Sequence, residues 1–90
     1  MAAYLVTYDL RNPQRDYSKL YTRLNAWRAL QVLESVHVIN SDSSTSASLR
    51  ADLAGYVDSN DGLFVAKLTG EAAWQRVNCD NQALKNKLTA

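Results

Sequence analysis

Ninety residues with a net charge of +1, 47% apolar and 21% charged, describe one small globular domain rather than a disordered chain. No apolar run approaches the roughly 20 residues that cross a bilayer, and Met1-Ala-Ala-Tyr4 lacks the basic start of a signal peptide. The single cysteine, Cys79, excludes an intrachain disulfide, and with one histidine beside it no zinc set is expected within one chain.

These features place the chain in the cytoplasm by expectation, with no membrane partner. A domain this short buries a modest fraction of its surface, and oligomerisation is a common remedy. The small net charge hides a pattern. Residues 1–28 carry +3, residues 29–61 carry −4, and the remainder carries +2. Such asymmetry marks either a nucleic-acid-facing side or two solvated faces.

The first element is a strand over Ala3–Leu10. Leu5, Val6 and Thr7 favour strands, and Tyr4 and Tyr8 share one side of it. Little polar alternation interrupts the run, which predicts a central strand buried on both faces. Asn12-Pro13 then suits a helix start, because Asn can accept from a free amide and Pro needs no donor in the first turn. Asp16 would favour the positive end of that helix. Tyr17, Leu20, Tyr21, Leu24 and Trp27 recur at steps of three and four and predict one buried face, with the helix ending near Arg28.

Leu30–Asn40 is apolar and β-branched but long for one strand, so a turn at Glu34-Ser35 is expected to split it in two. Ser41–Ser46 is rich in capping residues and opens a second helix through Leu49, Leu53, Tyr56 and Val57. Asn60-Asp61-Gly62 is a turn, Leu63–Thr69 the last strand, and Gly70 closes it. The tail 70–90 holds weaker signals for short helical turns at Ala72–Arg76 and Gln82–Leu88. The expected class is α+β: one domain in a ferredoxin-like βαββαβ order, with an antiparallel sheet and two helices on one face.

A strand ending Tyr8-Asp9-Leu10 leads into a basic helix and then Val32-Leu-Glu-Ser35-Val36-His-Val38. A second helix and Leu63-Phe-Val-Ala66 follow. Over about residues 3–69 this resembles the small CRISPR adaptation-complex proteins and their stand-alone relatives, a wider group that includes VapD-type toxins. His37 stands where that family has an aromatic. The resemblance implies a ferredoxin-like homodimer in which two first-strand aspartates face each other near the twofold axis. It also implies one of two activities: a Mg²⁺-dependent endonuclease acting on RNA or DNA, or a scaffold that binds DNA or a protein partner without cutting.

Asp9 matches the family's acidic position and is the candidate catalytic and metal-binding residue. A lone carboxylate is a poor cation site, but a second Asp9 and substrate phosphates would add ligands. Its plainer role is that of a strand-end turn residue. Arg11, Arg15, Lys19 and Arg23 are four apart, which on one helix makes a slowly drifting solvent-facing stripe able to contact phosphates. The same stripe is also what a solvated helix face looks like. His37, flanked by valines, reads as a strand histidine unless it lies near Asp9. Ser35 and Cys79 have no activating partner visible in sequence.

Overall fold

The computed structural model describes all 90 residues, Met1–Ala90. Four strands, β1 (Ala2–Asp9), β2 (Leu30–Leu33), β3 (Val36–Ser41) and β4 (Gly62–Leu68), form one antiparallel sheet in the order β2-β3-β1-β4. Three helices complete the α+β fold: α1 (Ser18–Ala26), α2 (Ser46–Ala54) and α3 (Asn81–Thr89). No helix is long and apolar enough to cross a membrane.

Strand alternation divides β1 between two layers. Tyr4, Val6 and Tyr8 are buried on one face, where Val6, Tyr8 and Ile39 pack against Leu20 and Leu24 of α1 and Leu53 of α2. On the other face Ala3, Val32 and Val38 pack against Leu84 of α3. The expectation of two helices on a single face is therefore corrected: a third helix closes part of the opposite face. Asp80 starts it by accepting from the Ala83 amide at 2.9 Å. The Ala72–Arg76 segment forms no helix, and the run before α3 stays irregular. Within it the Asn78 amide donates to the Val32 carbonyl at 2.8 Å, fastening the segment to the edge strand β2.

Burial of β1 is complete on the first face and partial on the second, where Ala3 is buried. Leu5 and Thr7 are only half-buried, because α3 does not reach that end of the sheet. The split at Glu34-Ser35 is a two-residue turn between β2 and β3, as the polar pair predicts. At the start of α2, Thr45 and Ser48 cap each other reciprocally, each side chain accepting from the other's amide.

The start of α1 differs most. Asn12-Pro13 does not begin the helix, which starts at Ser18 with Tyr17 before it and no side-chain cap from Tyr17. Asp16 supplies the nearest substitute, accepting from the Ser18 amide at 2.9 Å. Residues 10–17 instead form a loop that lies against the α2–β4 connection, and long-range partners displace the local helix signal there. At its other end α1 closes on Arg28, held at φ 56°, whose amide and that of Ala29 donate to Asn25 and Leu24.

Candidate functional site

The two ends of the charge pattern meet in space. Carboxylates from residues 52–61 engage the arginines of residues 11–23. The Arg11 amide donates to Asp61 at 2.8 Å, and its guanidinium donates to the Asn60 carbonyl at 3.0 Å. Asn12 donates to Asp58 at 3.1 Å, and Arg15 pairs with the same carboxylate while lying over the Tyr17 ring. The Tyr17 hydroxyl meets both oxygens of Asp61, at 2.9 and 2.8 Å, and the Asp58 amide donates to Asp61 at 2.8 Å. Burial pushes the Asp61 carboxyl up, but the amides of Arg11 and Asp58 and the Tyr17 hydroxyl outweigh it and hold it low.

Arg23 makes a bidentate contact with Asp52 at 2.9 and 2.8 Å, and the Trp27 indole donates to the same carboxylate at 2.9 Å. These bonds, above all the Arg23 guanidinium, hold the Asp52 carboxyl below its usual range. The four-residue stripe is thus not the structure's arrangement. Arg11 and Arg15 precede the helix, and Arg23 is turned into an ion pair. Lys19, exposed on α1, is the one member without an ion pair. Apart from Asp9, two residues before Arg11, the carboxylate partners lie 29 to 50 residues away in sequence, beyond any local pattern.

Asp9 ends β1 opposite Gly62, with its side chain 73% exposed. Its carboxylate accepts from the Arg11 guanidinium at 3.2 Å. A side chain on residue 62 would sit 3.1 Å from that guanidinium and 3.3 Å from the Asp9 Cβ, so glycine keeps the corner open. No group of three or more histidine, cysteine, aspartate or glutamate side chains gathers anywhere in the chain.

No protein-family model and no solved structure matches the chain.

His37 is not brought to Asp9. It pairs with Val6 and faces α1 and α2, whereas Asp9 has the opposite parity on β1. The His37 ring stacks on Tyr8 at 5.7 Å, and Tyr21 meets Tyr8 edge-on at 6.4 Å. Burial pushes the Tyr8 hydroxyl up to about 12, aided by Tyr21, and burial alone lowers His37. Tyr21 is not a core residue as its spacing suggests but 45% exposed. Ser35 sits in the hairpin turn, where its carbonyl accepts from the Tyr8 amide, and Cys79 is half-buried against the α3 layer.

One surface lacks a signal in any motif. Leu5 and Val36 are half-buried on the face that α3 leaves open, and Phe64 (63%), Leu33 (42%) and Trp74 (37%) are exposed. Leu5, Leu33, Val36 and Trp74 help line an apolar groove of about 280 Å³ beside α3. Thr7, Asp9 and Phe64 border a second, smaller groove at the strand ends. Asp9 thus stands at the end of a largely apolar surface, on the same side of β1 as Leu5 and Thr7.

Proposed function

We propose that the chain is a homodimeric nucleic-acid-binding domain similar to the small CRISPR adaptation proteins and VapD-type toxins, with its first-strand Asp9 at the twofold. The observation that carries this reading is the bare apolar half of the sheet face, ending in an exposed carboxylate. A second copy laid on that face would bury Leu5, Phe64 and Leu33 and bring two Asp9 side chains near one another. The βαββαβ order, with β1 between β3 and β4, supports a ferredoxin-like arrangement to which α3 is added. Lys19 is the best-placed of the four basic candidates for a phosphate, since it has no carboxylate partner.

In this reading a magnesium ion would need carboxylates from two copies, together with substrate oxygens, and Arg11 would have to release Asp9. The alternative is a scaffold that binds DNA or a protein partner without cutting. It is favoured by the 3.2 Å contact between Arg11 and Asp9, which neutralises the carboxylate inside each chain. The two separate in one experiment. Wild type and Asp9→Ala are incubated with single- and double-stranded RNA and DNA, with Mg²⁺ or with chelator. Metal-dependent cleavage lost in the variant establishes the nuclease. Salt-dependent binding with no cleavage by either protein establishes the scaffold, and no binding at low salt removes both nucleic-acid readings.

A further inference from the structure

A groove of about 430 Å³ opens between α1 and the β2–β3 hairpin, on the helix side of the sheet, and Tyr21 and Glu34 separate it from a depression that Asp9 borders. That volume lies within the range of about 300–1,000 Å³ common for small-molecule sites. Leu24 and His37 form its floor, Tyr21 and Asn25 one wall, and Gln31 and Glu34 the rim. His37 is 6% exposed, and its Nδ1 is buried with no hydrogen-bond partner. A buried nitrogen left unpartnered is a cost that apolar packing does not return.

Around this floor the polar groups are unspent. The Asn25 side-chain amide and the Glu34 carboxylate make no hydrogen bond or ion pair within the chain, and Gln31 uses one donor on the Glu34 carbonyl. No lysine or arginine lines the groove, so its field disfavours a phosphate and suits a neutral ring with donor groups. Tyr21 offers a partly exposed ring, braced by its edge contact with Tyr8.

We propose that this groove seats a single guanine base, stacked on Tyr21, with the Glu34 carboxylate accepting from its N1–H and N2–H and the Asn25 amide donating to its O6. A carboxylate is the side chain that matches two adjacent donors, and aromatic stacking supplies contact that any base would share. Guanine is singled out by the donor pair. The inference rests on the nucleic-acid reading only for the source of the base, which is either an unpaired nucleotide of a strand or a free nucleoside.

The test is a titration with guanosine, inosine and adenosine, followed by the ring NMR signals of Tyr21 and His37. Guanosine is expected to move both rings and to bind about tenfold more tightly than inosine, which lacks one donor to the carboxylate. Glu34→Gln, on an exposed turn, should remove that preference and leave the circular dichroism spectrum unchanged. Rings unmoved by millimolar guanosine, or a preference that survives Glu34→Gln, would overturn the proposal. Single strands containing one guanosine in a uridine background are titrated in parallel at low salt. Strand binding with no response to guanosine removes the groove and keeps the nucleic-acid reading. A response to guanosine with no strand binding does the reverse.

Discussion

Phe64→Asp is the sharpest perturbation of the proposed dimer. Phe64 lies on the edge strand β4 with 63% of its surface exposed, and it packs against neither buried core cluster. A phenylalanine carries about 200 Å² of surface, so about 125 Å² remains for a partner to cover. At about 25 cal/mol per Å² that coverage is worth about 3 kcal/mol. In a twofold interface the residue occurs twice, so full burial contributes about 6 kcal/mol, or about four powers of ten in the dimer constant. The aspartate adds an unpaired charge at the same spot, which pushes further toward monomer. Sedimentation velocity over a range of protein concentrations reads the outcome, with circular dichroism to confirm that the variant stays folded. The expected result is a dimeric wild type and a monomeric variant of equal helix content. A wild type that is monomeric at high micromolar concentration, or a variant that dimerises like wild type, would refute burial of this face.

Other consequences are independent of the dimer. Arg28 holds a left-handed conformation at φ 56° that glycine adopts freely, and its contacts through this turn are backbone ones. Arg28→Gly should raise the unfolding free energy by about 1 kcal/mol, read as a higher urea midpoint with the slope unchanged. Leu84 is 3% exposed beneath α3, and Leu84→Ala should cost about 2–5 kcal/mol. A cost below about 1 kcal/mol, smaller than typical for a buried leucine, would mean that α3 is not held to the sheet. The pH profile should fall in two stages. His37 lies below 6.5 when folded, so the unfolded chain binds the extra proton and stability declines as pH drops through 6.5 toward the folded value. Asp52 and Asp61 lie below 3.8 when folded, so their contribution is complete above 3.8 and is lost as pH falls through their folded values. His37→Phe should flatten the first stage and leave the second, as read by thermal melts across pH.

What could be read from sequence follows the range of the interactions. Strands β1 and β4, the Glu34-Ser35 turn and the Thr45 cap are encoded in neighbouring residues, and each lies within a residue or two of its expected place. The start of α1 failed because Asn12 had a choice. Its amide serves Asp58 instead of a helix end, and Asp58 is invisible to a reading of residues 10–20. The basic stripe failed for the same reason, since a four-residue period says where arginines would point on a helix and nothing of carboxylates elsewhere. Tyr21 shows a subtler limit: its spacing matches Leu20 and Leu24, yet it sits at the edge of the buried stripe and keeps its ring in solvent. His37 was set among valines, and only the sheet register tells which face it takes.

The charge segregation along the chain now has a structural use that needs no ligand. Opposite-charge segments close the β1–α1 loop onto the α2–β4 loop, and exposed pairs of this kind hold geometry more than they add stability. Asp9 is the exception within that network. Arg11 is fixed by three contacts, at 2.8 Å through its amide, 3.0 Å to the Asn60 carbonyl and 3.2 Å to Asp9. The first two tie the loop to the Asn60-Asp61-Gly62 turn and are indifferent to Asp9. The third is the longest, lies at an exposed corner, and can break while the other two persist. Asp9 is therefore masked by Arg11 through one exposed contact. A strand that ends in aspartate beside two arginines thus meets its folding requirement with the backbone amide of one arginine and the ion pair of the other. The Asp9 carboxylate is the one acid at that corner whose partner is a single exposed guanidinium.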